Sequence, residues 1–385
     1  MSWNSVKLGE LYTVHNGLSK GSKFFGSGYP FLTFSTVFNN YFIPPELDSF
    51  VQSSEAERQN YSIKRGDVFV TRTSETSDEL GMSCVALKDY PNATYNGFTK
   101  RMRPFTNRIL PEFIGYYMRM PSFRGAFLAF STMTTRASLK NEDLLGLQIR
   151  LPEKETQKRI ADILSAYDNL IENNQKQIKL LEEAARRLYK EWFVNFRFPG
   201  YEDTPIVDGV PEGWADGTLG DIAVFKRGKT ITKAQVSDGN IPVVAGGLEP
   251  AYYHNKANTT APLITVSASG ANAGFTRLYN IDVFASDCSY IDSNSTPFLL
   301  FVYCFLKTNA MKLNSLQKGS AQPHVYAKDL NALVLSVPNE GVLTAFCGIV
   351  SPYFERIRLL QRENEIAAQA RDRLLPKLMS GEIEV

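Results

Sequence analysis

Between Ile160 and Trp192 the seam positions fall at alternating steps of four and three residues. They are Ile160, Leu164, Tyr167, Ile171, Asn174, Ile178, Leu181, Ala185, Leu188 and Trp192. That spacing keeps one helix face in line and predicts the a/d seam of a coiled coil. Pro152 blocks helix upstream, and Gln157, Lys158 and Arg159 lead in on the polar side. About 40 residues, each rising about 1.5 Å, make a rod of roughly 60 Å. A rod with one apolar stripe needs a partner for that stripe.

The same chain supplies one. Phe346, Val350, Tyr353, Ile357, Leu360, Asn364, Ala367, Arg371 and Leu374 repeat the register near the end of the sequence. The lead-in repeats as well: Asp143-Leu144, Leu147, Ile149, Leu151 and Pro152 match Asp329-Leu330, Leu333, Leu335, Val337 and Pro338 at one constant offset. Each half therefore ends in a short alternating strand, a proline and a long helix. Each seam carries one asparagine, Asn174 and Asn364, a residue that costs stability but fixes register. The two asparagines are expected to meet near mid-seam in an antiparallel pair.

The duplication reaches the start of each half. Trp3, Leu8-Gly9-Glu10-Leu11 and Gly17 correspond to Trp214, Leu219-Gly220-Asp221-Ile222 and Gly228. Between these ends the halves diverge, so a frame is kept while a surface changes. Strands are predicted at Pro30 to Phe34 and Asp67 to Thr71, then at Pro242 to Ala245, Leu263 to Ser267 and Val283 to Ser286. Single helices are predicted from Pro111 to Ala129 and from Pro297 to Gln317, and an irregular connector from Phe198 to Trp214. The fold class is α+β: two β-rich globular regions separated by two long helices that form an antiparallel coiled coil, with a pseudo-twofold internal repeat. The expected domains are 1–152, 153–198, 199–338 and 339–385.

A length of 385 residues fits two or three domains. Net charge is only +2, so nucleic-acid binding has to rely on local patches. The four cysteines form no CxxC pair and there are only three histidines, which argues against a zinc site and a disulfide framework. No run approaches the roughly 20 apolar residues of a membrane span, so a soluble, cytoplasmic protein is expected.

Familiar catalytic patterns fail one by one. Phe24-Phe25-Gly26-Ser27-Gly28 matches F-x-G-x-G, but the acidic residue expected ahead of it is missing and Tyr29-Pro30 follows. Gly228-Lys229-Thr230 ends like a phosphate-binding loop, yet Ala223 stands where its first glycine belongs. No Asp or Glu is followed two residues later by Lys, which removes the usual metal site of restriction-type nucleases. There is no N-P-P-[YF]; Gly17-Leu18-Ser19-Lys20-Gly21 spells G-x-S-x-G, but no Asp-His-Ser grouping has a persuasive spacing. No catalytic, cofactor-binding or metal-binding residue is therefore assigned.

What remains is basic and small polar side chains expected on loops. In the first half these are Lys20, Lys23, Arg72, Thr73, Ser74, Lys100, Arg101, Arg103, Thr135, Arg136 and Ser138. In the second half they are Lys226, Arg227, Lys229, Ser267, Ser269, Asn272, Lys318, Ser320, Gln322 and His324. Arg and Lys suit phosphates and guanine edges, Asn and Gln adenine edges, Ser and Thr either. Arg136 and Gln322 fall at equivalent places.

With these features in hand, the whole chain resembles the specificity subunit of type I restriction–modification systems. The resemblance rests on Leu151-Pro152 through Gln157 to Ile160, on Leu164 to Trp192-Phe193, and on the closing Leu374-Leu375-Pro376-Lys377-Leu378-Met379-Ser380-Gly381-Glu382-Ile383. One departure is Gly341-Val342-Leu343-Thr344, where the family has a glutamine-rich lead; it leaves the start of the second helix open. The resemblance implies two target-recognition domains that read an asymmetric bipartite site on double-stranded DNA. It also implies partners: two methyltransferase subunits using S-adenosylmethionine, and restriction subunits using ATP and Mg²⁺ to cut. No membrane partner is implied. A self-contained DNA methyltransferase or nuclease, and a coiled-coil scaffold without nucleic acid, are the competing readings.

Overall fold

The structure is a computed structural model that describes residues 3–74, 80–129, 137–317 and 323–385. The chain divides into two compact units. One is Met1–Glu172 with Asn364–Val385, the other Asn173–Glu363. The strands of the first are β1 (Asn4–Lys7), β2 (Tyr12–Asn16), β3 (Phe25–Leu32), β4 (Phe50–Val51), β5 (Val68–Thr71), β6 (Thr73–Ser74), β7 (Ser83–Val85), β8 (Thr94–Tyr95), β9 (Thr99–Pro104), β10 (Ala137–Ser138) and β11 (Gln148–Leu151). Those of the second are β12 (Ile206–Val207), β13 (Val210–Pro211), β14 (Ala215–Thr218), β15 (Lys226–Arg227), β16 (Ile241–Val244), β17 (Tyr252–His254), β18 (Leu263–Ser267), β19 (Thr276–Tyr279), β20 (Phe284–Ala285), β21 (Cys288–Asp292) and β22 (Val334–Val337).

The two units share one topology. A four-stranded antiparallel sheet runs β2-β9-β5-β7 in the first and β15-β21-β18-β19 in the second. A three-stranded sheet runs β4-β3-β8 in one and β17-β16-β20 in the other, each with one antiparallel and one parallel neighbour. The first and last strands close each repeat, β1 with β11 and β14 with β22. The repetition thus extends through the middle of each half, where the sequences diverge. A ladder is made by backbone groups, so it persists while side chains change.

The central strands are rich in β-branched residues and buried throughout: Val68, Phe69, Val70 and Thr71 in one, Leu263 to Ser267 in the other. Alternation sends Val68 and Val70 into one core cluster and Phe69 into another on the opposite face. Three predicted elements differ. The helix expected from Pro111 to Ala129 is two, Pro111–Tyr117 and Pro121–Ala129, because Pro121 has no N–H to continue the first. That expected from Pro297 to Gln317 is Leu299–Thr308 and Ala310–Ser315, broken at Asn309, whose side chain donates to Phe305 O at 2.9 Å. The connector contains the hairpin β12–β13. Asp208 and Gly209 at its tip have φ of 52° and 89°, the left-handed pair a two-residue hairpin turn requires.

The long helices are Lys154–Phe193 and Glu340–Ser380. Every seam position named above is buried or half-buried. In the second unit Asn174 meets Glu363 and Tyr189 meets Phe346, so later residues of one helix face earlier residues of the other. That order is antiparallel. In the first unit Asp168 meets Arg371, and Ile160 and Leu164 share a core with Leu375, Leu378 and Met379. The expected meeting of the two asparagines is corrected: Asn174 Nδ2 donates to Glu363 Oε2 at 2.9 Å. Asn364 Oδ1 is buried with no hydrogen-bond partner among the described residues. Glutamate reaches further than asparagine and is the stronger, charged acceptor.

Gln157 also departs from expectation, since it is fully buried rather than polar-faced. Its Oε1 accepts from Leu110 N at 2.8 Å, and its Nε2 donates to Arg108 O and Pro152 O, both at 2.9 Å. One side chain thereby ties the start of the helix to the loop that enters Pro111–Tyr117. At the matching place in the second half Leu343 is buried in an apolar core instead. There Asn339 Oδ1 accepts from Val342 N at 3.0 Å and fixes the helix start the sequence left open.

Gln157→Ala strands three backbone groups and is expected to destabilise the protein by on the order of 1–3 kcal/mol. Denaturant unfolding of the two proteins measures it; an unchanged midpoint would remove the clamp from the account.

Candidate nucleic-acid interface

The cations of β9 are framework. The sequence placed Lys100, Arg101 and Arg103 on a loop, but they lie on a strand hydrogen-bonded on both sides, to β2 and β5. Arg103 grips Asp67 with Nε to Oδ1 at 2.7 Å and Nη2 to Oδ2 at 2.6 Å, and Asp67 is fully buried. This hydrogen bond raises the Arg103 pKa against the cost of burial. Arg101 donates to Ser62 O at 2.7 Å and lies over the Tyr95 ring, and burial lowers its pKa. Lys100 Nζ donates to Asn141 Oδ1; burial, then the charge of Arg72, lowers its pKa. Basic residues in a sequence do not announce whether an acid waits beneath them.

Other predicted residues sit nearer the surface. Lys20 is held by Glu57 at 2.8 Å and donates to Gln52 O, while Lys23 is exposed. Lys226, Arg227 and Lys229 are exposed. Ser267 is buried, with Oγ donating to Gly246 O at 3.0 Å. Asn272 closes a turn, its carbonyl accepting from Phe275 N. Thr73 and Ser138 are paired through the β6–β10 ladder, and Ser269 bridges His324 at the corresponding place in the second unit. Thr135, Arg136, Lys318, Ser320 and Gln322 lie outside the described residues.

The structure gathers part of this set at one corner, built twice. In the first unit Gly17 N donates to Thr99 O and Leu18 N to Tyr95 O. In the second Gly228 N donates to Cys288 O and Lys229 N to Ala285 O. Both glycines press on the facing chain: a Cβ would lie 2.0 Å from Asn96 O at Gly17 and 2.3 Å from Ser286 O at Gly228. Only glycine fits such an approach. The residue just before each glycine, Asn16 or Arg227, is thereby held at the same spot. Across from it, Arg72 N donates to Phe98 O, and Ala268 N to Asp287 O.

The corner therefore consists of three equivalent positions with different side chains. In the first unit they are Asn16, Arg72 and Phe98, with Arg72 Nη1 donating to Asn16 Oδ1 at 3.4 Å. In the second they are Arg227, Ala268 and Asp287. Arg227 Nη2 donates to Asp287 Oδ1, and Ser269 Oγ donates to Asp287 Oδ2. Sequence reasoning missed Asn16, Phe98 and Asp287. The signal for Asn16 was its place before a repeated glycine; Phe98 and Asp287 carried none, because strand pairing alone brings them here.

The described residues contain no group of three or more His, Cys, Asp and Glu side chains able to hold a metal ion. Burial pushes the thiols of Cys84 and Cys288 up to about 12, far from a reactive thiolate. No helix of the described residues is long and apolar enough to cross a membrane.

The same sheet corner is thus built in both units, and comparison with known proteins gives the family. Residues 1–183 and 211–366 match the type I restriction modification DNA specificity domain, and the chain belongs to that family. It is 25% identical to the type I restriction enzyme MjaIX specificity subunit of Methanocaldococcus jannaschii, over 100% of this chain and 94% of that one. It is 23% identical to the type I restriction enzyme HindI specificity subunit of Haemophilus influenzae, over 99% of both. Its fold is similar to the crystal structure of the type I restriction-modification system S subunit from M. genitalium. The TM-score is 0.57 at 16% identity, over 98% of this chain and 96% of that one.

Arg103→Ala leaves the buried Asp67 carboxylate unpaired and is expected to cost on the order of 3–5 kcal/mol. The same variant, where folded, should select the same DNA sequences as the parent. Thermal unfolding and sequencing of bound duplexes check the two halves of this statement. A stable protein with altered base preference would make Arg103 a reader instead.

Proposed function

We propose that this chain is the DNA-reading subunit of a type I restriction–modification assembly, and that it reads an asymmetric bipartite target with one corner from each unit. The observation that carries this is the same backbone corner built twice with different side chains. One scaffold with two chemistries reads two unlike half-sites. In this reading Lys23, Lys226 and Lys229 serve phosphates. Arg136 and Gln322, which stand at equivalent places in the two halves of the sequence, are proposed to add one contact each.

Two methyltransferase subunits and the restriction subunits are proposed as protein partners. S-adenosylmethionine, ATP and Mg²⁺ belong to them, and this chain contributes recognition and assembly. The absence of [DE]-x-K and N-P-P-[YF] from the sequence supports that division. The antiparallel pairing inside each unit supports a further part of the reading: the rod, rather than the recognition surfaces, sets the gap between half-sites. Half-sites one duplex turn apart lie roughly 34 Å from centre to centre.

Two outcomes are expected. The purified chain, given labelled S-adenosylmethionine, Mg²⁺ and target DNA, transfers no methyl group and makes no cut; activity above background without partners would overturn the division of labour. Inserting one heptad after Asn174 and a matching one near Asn364 adds about 10 Å of rise, near three base pairs at about 3.4 Å each. The lengthened protein, assembled with its methyltransferase, should modify the same half-sites across a wider gap. A sequenced methylation pattern with the original gap ends the ruler proposal.

A further inference from the structure

The corner in each unit holds one arginine braced by a polar neighbour, though the arginine stands at a different one of the three positions. In the second unit Arg227 lies on β15 directly before the close-packed Gly228. Its side chain is 44% exposed, and among the described residues its guanidinium is engaged only through Nη2, by Asp287. Asp287 is itself anchored through its second oxygen by Ser269. Gly246 packs against this anchor, where a Cβ would lie 2.9 Å from Ser269 O and 3.5 Å from Asp287 Oδ2. In the first unit Arg72 occupies the neighbouring position and leans on Asn16 Oδ1.

An exposed ion pair by itself contributes little to stability. This one is buttressed by the Ser269 hydrogen bond and the close packing of Gly246, which a simple surface pair does not need. What the arrangement supplies is orientation. A guanidinium has five N–H donors in a rigid fork, and a carboxylate on one terminal nitrogen fixes the plane in which the others point. An arginine held in that way matches the two acceptors that guanine shows in the major groove, O6 and N7. Lysine, a rotating point charge, does not.

We propose that Arg227 reads a guanine in the half-site of the second unit, with Asp287 as the positioning residue, and that Arg72, braced by Asn16, reads a guanine in the half-site of the first. The ligand class is the guanine edge of duplex DNA in the major groove. This rests on the recognition role proposed above and names the base and the residue that reads it.

The test uses the chain assembled with its co-expressed methyltransferase and a pool of randomised duplexes, the bound fraction being sequenced. In R227A the preference for guanine at one position of one half-site should fall about five- to a hundredfold, the range of a good bidentate pair. The other half-site should not change. R227K should keep most of the affinity and still lose that preference. D287N should weaken the preference at the same position, and D287E should restore part of it. R72A should act on the other half-site alone. Thermal unfolding of R227A should match the parent, since the side chain is exposed; if it does not, R227K decides. An equal loss of binding to all sequences, with the preferences intact, would make Arg227 a phosphate contact and overturn the proposal, as would no change at all. A parent assembly that binds the pool without sequence preference would overturn the recognition role itself.

Discussion

The structure depends on burying the apolar stripe of two helices that lie far apart in the sequence. Each unit uses a piece of both. In the first, Ile160 and Leu164 share one core with Leu375, Leu378 and Met379, and with Val6 and Leu8 from the first strand and the turn after it. In the second, Tyr189, Trp192 and Phe193 surround Phe346, ring centroids 5.0–6.1 Å apart. Burial of such rings contributes a few kcal/mol each. The first unit is thus completed by the last residues of the chain, and loop-closure entropy over that distance is offset only by a large apolar core.

On that frame the polar groups divide into two kinds. Some make the cores specific: Gln157 with its three backbone partners, Arg103 on Asp67, and Arg371 on Asp168. In the last of these Arg371 Nη1 donates to Asp168 Oδ1 and Tyr116 Oη to Asp168 Oδ2, both at 2.5 Å. This explains an arginine at a seam position. Burial opposes its charge, but the hydrogen bonds and negative charge supplied by Asp168 and Asp372 together more than offset that, and its pKa is raised. Others, such as Arg227 and Lys229, stay at the surface where a nucleic acid can reach them.

In the proposed reading, the duplicated corner lets one backbone serve two chemistries. The ladder hydrogen bonds of Gly17 and Gly228 are the same and exclude any side chain there. The positions beside them, Asn16 and Arg227, carry different side chains on that shared backbone. In the proposed reading this is where recognition diverges between the halves.

The sequence by itself determined the two long helices, their shared register, the duplication and the family, because seam spacing and short anchor motifs such as Trp3 and Trp214 are local signals. It also determined the central strands, whose β-branched runs are unambiguous. It did not reveal the Asp208-Gly209 hairpin turn, although that signal was present, nor the helix breaks at Pro121 and Asn309. Only the tertiary structure decided which cations are free. Lys100, Arg101 and Arg103 read like a basic patch until strand pairing sets them over Asp67, Ser62 and Asn141. It alone decided that Asn174 bonds Glu363, and that Asp287 stands beside Arg227. Charge and hydrogen bonding act over a few ångströms of space, and distance along the chain does not encode which groups come that close.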